Sequence, residues 1–283
     1  MSIVLGIDVG GSTTKVIGLQ DGKLVGTLQV RAADQITSLF GAIGNYLLKY
    51  NAKLSDVATI ALTGVGASFI NERIYGIDTQ KINEFLAIGH GALLLTGLNE
   101  AIVVSMGTGT AFVRATTENI SHIGGSGVGG GTIIGLCSKM LGKSDIDAIL
   151  ALAKNGKLEN VDLSVRDIIG NEIPSLPPNL TAANFGKIKS TASEADLALG
   201  IINMVFETTG MLAVFVARND TIRNVVLIGT LTMFPQAEGI QSAFSNLTDL
   251  TFTIPPNAVY ATAIGAAAIA LPSSGVGKME YEI

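Results

Sequence analysis

Blocks of hydrophobic and polar positions along the first sixty residues predict three strands, a helix and a fourth strand. Apolar, β-branched runs predict the first three strands, over 2–9, 14–20 and 23–30. Asp21-Gly22 separates the last two and is a strong hairpin-turn signal. Apolar residues then recur at helical spacing from Ile36 to Leu47, with Asp34 as the candidate N-cap, and a further strand is predicted over 57–62. The order is β-β-β-α-β.

A similar pattern begins again just after residue 100. Strands are predicted over 101–105, 110–115 and 120–123. The segment IDVGGSTT (7–14) aligns with VSMGTGTA (104–111), hairpin on hairpin. We therefore expect two related halves, 1–98 and 99–283, whose glycine-turned hairpins face a shared cleft.

The rest of the chain predicts helices and short strands that complete the second half. A glycine-rich turn opens a helix near 130, and a long helix over 194–218 is apolar on most faces. Such a helix is expected to be buried between layers or against a partner. Strands over 225–228 and 251–254 precede a closing helix of small residues over 258–271, which we expect to pack closely against its neighbours.

Composition limits the kind of protein this is. Of the 283 residues, 48% are hydrophobic and 14% are charged, so a large core is available. The net charge of −5 disfavours nucleic acid or an anionic membrane as the main partner. One cysteine, Cys137, excludes a disulfide framework and fits a reducing compartment. Because the apolar stretches are interrupted by charge or too short to span a bilayer, we expect a soluble, cytoplasmic protein.

Two glycine-turned hairpins are candidate phosphate sites. Small residues in a tight turn let backbone N–H groups approach an anion. This composition occurs at Gly10, Gly11, Ser12 and Thr13, and again at Gly107, Thr108, Gly109 and Thr110. One such turn alone is most often an ordinary hairpin, but two matching turns, one preceded by an aspartate, favour the phosphate interpretation.

Charged residues beside the first hairpin suggest how a nucleotide is held. Asp8, at a strand end, is a candidate Mg²⁺ ligand acting through water, because magnesium favours few carboxylates together with phosphate oxygens. Lys15 is a candidate to neutralise phosphate charge. The helix opened by 129–132 can direct its N-terminal dipole at a phosphate. Gly229-Thr230 would let a base lie against bare backbone, or would simply form a strand-to-helix turn.

Two stretches match familiar nucleotide-binding motifs in their residue types but lack the strand and helix context that those motifs require. The stretch 125–130 satisfies a dinucleotide fingerprint, but the next acidic residues, Asp145 and Asp147, fall in a predicted helix and not at the end of a strand. Gly142-Lys143-Ser144 resembles the end of a P-loop but follows a helix, with Cys137 where the first glycine should stand. Neither motif indicates a nucleotide site.

Four motifs give the chain a family resemblance. They are GIDVGGSTTK (6–15), MGTGTA (106–111), GGSGVGGGTIIGL (124–136) and LTAANFG (180–186). The first two are general to the actin, sugar-kinase and Hsp70 ATPase superfamily, and the last two are more specific. The chain resembles the type II pantothenate kinases from about Gly6 to Leu271. The resemblance implies an α/β fold of two actin-like (ribonuclease H-like) domains with mixed sheets flanking an ATP cleft, and a homodimer.

The resemblance also implies an activity and a site. It implies transfer of the γ-phosphate of Mg²⁺-bound ATP to pantothenate, the first step toward coenzyme A. The nucleotide-binding residues would be Asp8, Val9, Gly10, Gly11, Ser12, Thr13, Thr14, Lys15, Gly107, Thr108, Gly109, Gly130, Gly131, Thr132, Ile133, Ile134, Ile146, Gly229 and Thr230. The substrate-binding residues would be Glu84, Ser105, Thr108 and His122.

Glu84, in INEFLAIGHGALLL (82–95), matches the family's general base. A carboxylate after an apolar strand at the mouth of the cleft can accept a hydroxyl proton, although a helix-capping or surface glutamate is the alternative. His122 stands where the family has an arginine that contacts pantothenate. Because histidine cannot make arginine's bidentate contact to a carboxylate, Arg114 or Arg73 could take that role instead.

The sequence leaves three other functions open. The first is a related amino-sugar-type kinase with the same chemistry. The second is an ATPase activator of acyl-CoA dehydratases, whose iron–sulfur cluster needs cysteines that this chain lacks beyond Cys137. The third is a catalytically silent ATP-binding regulator, which could have lost Glu84.

Overall fold

Two five-stranded sheets organise the computed structural model, which describes residues 2–32, 34–169, 178 and 180–271. The first sheet contains β1 (Ile3–Val9), β2 (Thr13–Gln20), β3 (Lys23–Arg31), β4 (Val57–Thr63) and β5 (Asp78–Lys81). The second contains β6 (Glu100–Met106), β7 (Thr110–Thr116), β8 (Ile120–Ser126), β11 (Asn224–Ile228) and β12 (Thr251–Thr253). A separate two-stranded ribbon pairs β9 (Leu163–Ser164) with β10 (Thr181–Ala183).

Eight α-helices accompany the strands in the described part of the chain. They are α1 (Gln35–Lys49), α2 (Glu84–Thr96), α3 (Gly130–Leu141), α4 (Ile146–Ala153), α5 (Val165–Ile168), α6 (Glu194–Arg218), α7 (Pro235–Leu247) and α8 (Ala261–Ala270).

The two sheets have the same topology. The first has the order β3-β2-β1-β4-β5 and the second the order β8-β7-β6-β11-β12. In each, three antiparallel strands from two hairpins are followed by two strands that pair in parallel. This repetition confirms the predicted α/β fold with two related mixed sheets.

Local sequence explains the hairpin and the helix that open the chain. Asp21 and Gly22 both have left-handed backbone angles, φ 51° and 78°, which the tight β2–β3 turn requires and which Asp and Gly adopt readily. Asp34 caps α1, as predicted: its Oδ1 accepts a hydrogen bond from the backbone N–H of Thr37 at 2.7 Å. The first sheet and α1 share one core.

Helix α8 connects the end of the chain to its beginning. It packs against β1, β2 and β4 of the first sheet and crosses α2, which itself packs on the second sheet. The crossing depends on glycines, because a Cβ at Gly91 would lie 1.9 Å from the carbonyl oxygen of Ala261. The prediction that this closing helix packs closely is therefore confirmed.

Helix α6 has the predicted bounds and carries much of the core of the second half. Its inner face packs on α3, α4 and α7. By length and composition it could cross a membrane, but half of its most apolar window is buried inside the fold. On its outer side Met211 and Phe215 are 41% and 51% exposed.

Candidate active site

A cleft of about 1100 Å³ lies between the two sheets, and residues of both halves line it. The lining includes most of the residues expected to bind nucleotide: Asp8, Gly10, Gly11, Ser12, Thr13, Lys15, Gly107, Thr108, Gly109, Gly130, Ile134, Ile146, Gly229 and Thr230. It also includes two of the expected substrate residues, Glu84 and Ser105, beside the shared Thr108. The structure thus brings together residues that are more than two hundred positions apart in the sequence.

The two glycine-turned hairpins face each other in this cleft. The β1–β2 turn is closed by the Gly10 N–H, which donates to the Thr13 carbonyl at 3.0 Å. The β6–β7 turn is closed by the Gly107 N–H, which donates to the Gly109 carbonyl at 2.9 Å. A hydroxyl–hydroxyl hydrogen bond of 2.8 Å between Ser12 Oγ and Thr108 Oγ1 joins the hairpins directly.

Helix α3 braces the second hairpin. The N–H groups of Gly130 and Gly131 donate to the carbonyls of Gly107 and Thr108, both at 2.9 Å. A Cβ at Gly129 would lie 2.6 Å from the Thr108 carbonyl, so glycine is needed for this close approach. Since these two amides are used within the protein, the start of α3 fixes the shape of the hairpin, and its dipole still points toward the cleft.

Five residues expected at the nucleotide do not line the cleft. Ile133 is completely buried in the core of the second half, because it lies on the inner face of α3. The Thr132 hydroxyl caps α3 by accepting a hydrogen bond from the Gly129 N–H at 3.1 Å, and it donates to the Gly127 carbonyl at 3.1 Å. Gly131 is bonded to the hairpin instead of facing the cavity, and Val9 and Thr14 point into the interior of the first half. The nucleotide-binding role expected for these five residues therefore stays a prediction, since none of them lines the cavity.

Three charged groups share the floor of the cleft. Asp8 and Lys15 lie opposite each other on β1 and β2 and form a buried ion pair, with 3.4 Å between Lys15 Nζ and Asp8 Oδ2. Glu84 is partly buried nearby. Burial raises the pKa of Glu84, the charge of Asp8 raises it further, and Lys15 acts in the opposite direction. The carboxylates of Asp8 and Glu84 are therefore electrostatically coupled.

Backbone geometry holds Asp8 in place. Gly64, which follows β4, has φ 87°, a left-handed conformation that favours glycine. A Cβ there would lie 2.6 Å from Asp8 Oδ1 and 2.6 Å from the Val9 carbonyl oxygen. The glycine therefore lets the loop after β4 approach the carboxylate without displacing it.

Glu84 is positioned differently from the sequence-based expectation. The strand before it, β5, is a polar edge strand, not an apolar one. Glu84 is the first residue of α2, and Asn83 is the cap, its side-chain oxygen accepting from the N–H groups of Phe85 and Leu86. The helix-capping interpretation of Glu84 is thus wrong, since its neighbour does that work. The start of α2 brings its carboxylate to the cavity.

One end of the cleft is apolar. Leu231 and Phe234 line it together with Ile134 and Ile146, beside the bare backbone of Gly229. Gly229 has φ 95°, and a Cβ there would lie 2.7 Å from the Met106 carbonyl oxygen. An apolar slot beside two phosphate-type hairpins suits a flat nucleoside. The side chains of Leu231 and Phe234, like Thr262 from α8, were not foreseen, because nothing local in the sequence marks them.

His122 lies outside the lining of the cavity but next to it. Its ring is exposed on β8 and stacks on Phe85, with ring centroids 3.9 Å apart and an interplanar angle of 17°. Because Phe85 follows Glu84 directly, the stack connects His122 to the start of α2. The alternatives are engaged elsewhere: Arg114 bonds Asp220 at 2.7 Å, and Arg73 lies 4.0 Å from Asp78. Neither arginine lines the cleft.

The segment LTAANFG is anchored to α6, away from the lining of the cleft. Thr181 and Asn184 donate to the two carboxylate oxygens of Glu207 at 2.7 and 2.9 Å. The N–H of Phe185 donates to Asp162 at 2.8 Å. These bonds give the motif a structural function on the α6 surface.

The stretches that resemble a P-loop and a dinucleotide fingerprint lie in a different structural context from those motifs. Gly142 is the left-handed C-cap of α3, so the Gly-Lys-Ser stretch ends a helix, unlike a P-loop, which begins one. Asp145 is the N-cap of α4 and Asp147 lies in its first turn, so neither ends a strand as a ribose-binding acid would. Cys137 is fully buried in the core, where burial raises the pKa of its thiol. It is thus not available on the surface for a cluster between subunits.

Comparisons with known proteins agree with this architecture. The activator of the 2-hydroxyisocaproyl-CoA dehydratase from Clostridium difficile has a similar structure, with a TM-score of 0.67 over 95% of this chain and 94% of that one. At 17% identity this likeness shows the actin-like ATPase fold alone.

Sequence comparison is more specific. The Fumble family model matches residues 98–237. A type II pantothenate kinase of Oceanobacillus iheyensis is 29% identical over 271 residues, 93% of this chain and 97% of that protein. A type II pantothenate kinase of Staphylococcus haemolyticus is 31% identical over 235 residues, 80% of this chain and 84% of that protein. The chain therefore belongs to the type II pantothenate kinase family.

Proposed function

We propose that the protein transfers the γ-phosphate of ATP to pantothenate, giving 4′-phosphopantothenate and ADP at the start of coenzyme A biosynthesis. Membership of the type II pantothenate kinase family supports the reaction. One structural observation supports the position of the active site. Two facing glycine hairpins meet at a cleft whose floor holds Asp8 and Glu84. Phosphoryl transfer depends mainly on positioning and on electrostatic stabilisation, and this arrangement supplies both.

ATP would lie with its base in the apolar slot and its phosphates between the hairpins. The slot is formed around Gly229 by Leu231 and Phe234. Asp8 would hold Mg²⁺, which neutralises phosphate charge when bound. Among the described residues no group of three or more His, Cys, Asp or Glu side chains could form a metal cage. A single aspartate fits Mg²⁺ well, since this ion keeps several waters and takes oxygens from phosphate.

Glu84 would be the general base. Its carboxylate would accept the proton of the pantothenate hydroxyl as the oxygen attacks the γ-phosphorus, and the bond to the β–γ bridging oxygen breaks. A base works best when its pKa is near the working pH, and both burial and Asp8 raise the pKa of Glu84 in that direction. Lys15, paired with Asp8, keeps the floor from accumulating negative charge.

The acceptor would bind on the Glu84 side of the cleft. Ser105 and Thr108 line the cavity there and offer hydroxyl groups. His122 would help orient the acceptor from the rim, held by its stack on Phe85.

The protein would act as a cytoplasmic homodimer. The outer face of α6 carries Met204, Thr208, Met211 and Phe215 at spacings of four, three and four residues, which place them in one stripe. The two most exposed of them are large and apolar. A second copy of this chain would cover this stripe through a two-fold interface.

An acceptor screen tests the proposal. Purified protein is assayed for ATP consumption with pantothenate, pantetheine, N-acetylglucosamine or no acceptor. Turnover that depends on pantothenate is expected, and Asp8→Asn should abolish it while keeping the fold. Turnover with N-acetylglucosamine alone would indicate an amino-sugar kinase, and ATP binding without turnover would indicate a regulator.

A further inference from the structure

Arg31, the last residue of β3, belongs to none of the sequence motifs but lies at the cleft. Its side chain lines the cavity. It lies directly opposite Thr13 of the first hairpin in the β2–β3 pairing. The next residue, Ala32, donates its N–H to the carbonyl of Ser12 in the hairpin turn at 2.9 Å. Arg31 is therefore built into the same strand edge as the first phosphate hairpin.

Strand pairing also determines which way Arg31 faces. Residues directly opposite each other in an antiparallel pair project from the same face of the sheet. Lys15 pairs with Gln29, and Thr13 pairs with Arg31, and all four line the cleft. The cleft-facing surface of the first sheet therefore carries Lys15 and, one pair further along, Arg31.

Of the positively charged side chains in the described cleft lining, Arg31 is the one accessible to solvent. Among the described lining residues the positive side chains are Lys15 and Arg31. Lys15 is buried and paired with Asp8, whereas the Arg31 side chain is 75% exposed. A polyphosphate entering from solvent would meet the guanidinium first, and guanidinium is well suited to bidentate bonds with phosphate.

Acidic residues of the second half hold the Arg31 side chain. Its Nη2 lies 2.6 Å from Asp145 Oδ2 and 4.0 Å from Asp147 Oδ2. Ser144 and Ile146, on either side of Asp145, also line the cleft. The ion pair therefore crosses the mouth of the cavity. Because both side chains are exposed, such a pair contributes little stability, roughly 0–1 kcal/mol, and can be exchanged for a better partner.

We propose that Arg31 is a nucleotide-binding residue that exchanges Asp145 for a phosphate of ATP or ADP. The inference rests on the proposed use of ATP and adds a residue to that site. In this arrangement Asp145 competes with the nucleotide for the guanidinium. Removing the arginine should therefore weaken nucleotide binding, whereas removing its aspartate should not.

Calorimetry with four proteins tests this prediction. Arg31→Gln should weaken ATP and ADP binding about 10-fold, the usual value of a charge-assisted hydrogen bond, and leave adenosine binding unchanged. Asp145→Asn, which can still cap α4, should leave ATP affinity unchanged or raise it up to about 5-fold. Arg223→Gln is the matched control, since Arg223 is paired with Asp249 and precedes β11, at the opposite end of that strand from Gly229. Its ATP affinity should equal that of the wild type.

Each alternative result overturns a different claim. Equal weakening of ATP binding by Arg31→Gln and Asp145→Asn would mean that the ion pair itself closes the cleft, and would overturn the exchange. Unchanged ATP affinity in Arg31→Gln would remove the residue from the nucleotide site. If the wild type bound no ATP, the proposed function would fail first. Thermal melting of each variant checks that the fold is intact.

Discussion

The close crossing of α2 and α8 leads to a prediction about stability that follows from the interatomic distances at Gly265. Gly265 lies where the two helix backbones meet. A Cβ added there would be 2.0 Å from the Ala87 carbonyl oxygen and 2.6 Å from the Gly91 amide nitrogen. Both atoms belong to the backbone, so no flexible side chain can move to relieve the clash. In Gly265→Ala the helices must separate.

Two opposing effects set the size of the change. Over-packing a close-packed core costs about 1–3 kcal/mol, and a backbone clash belongs at the upper end of this range. Alanine in a helix interior recovers about 0.5–1 kcal/mol relative to glycine. We therefore expect Gly265→Ala to lose about 2 kcal/mol of unfolding free energy. Because α2 begins with Glu84 and α8 carries Thr262, turnover should fall as well.

Urea denaturation measures this difference directly. Gly41→Ala is the matched control, since Gly41 is in the interior of α1 and an added Cβ would meet nothing within 4 Å. The control should be up to about 1 kcal/mol more stable than the wild type. If Gly265→Ala were as stable as Gly41→Ala with an unchanged m value, the close crossing would be wrong.

Three further predictions follow from the site and the α6 surface. The acid limb of the kcat/KM profile should lie at higher pH than that of an ordinary glutamate, because the pKa of Glu84 is raised in the free protein and the base must be deprotonated. Lys15→Gln should move that limb to still higher pH, since Lys15 lowers this pKa, and an unmoved limb would contradict the coupling. His122→Arg should lower the KM for pantothenate or leave it unchanged, and a wild type that is inactive with pantothenate and not restored by the arginine would indicate another acceptor. Light scattering at micromolar concentration should show a wild-type dimer and a Phe215→Asp monomer, whereas a monomeric wild type would refute the interface.

Elements with a clear period and clear end signals could be predicted from sequence. Helix α6 has its predicted bounds because Ser193 caps it and apolar residues recur on most of its faces as far as the turn that ends at Arg218. The Asp21-Gly22 turn and the Asp34 cap were recognisable because only a few residue types serve in those positions. These signals are local, so one sequence is enough to read them.

Other features depend on contacts that no local pattern records. The strand β5, Asp-Thr-Gln-Lys, is polar because it lies at the edge of its sheet, and its pattern does not predict a strand. The burial of Ile133 depends on which side of α3 it faces, and the glycine motif marks the turn but not the orientation of each residue after it. Arg31 and Phe234 reach the cleft only through the pairing of β2 with β3 and the packing of the second half.

The rate of 4′-phosphopantothenate formation, followed by mass spectrometry at saturating ATP, tests the central claim most directly. The wild type should form this product, and Glu84→Gln should reduce kcat by about 10²–10⁴, the usual contribution of a general base. Calorimetry on the same two proteins should give nearly equal ATP affinities. A wild type that binds ATP but forms no phosphopantothenate would contradict the proposed reaction, and a Glu84→Gln variant that loses ATP binding and turnover equally would remove Glu84 from the base role.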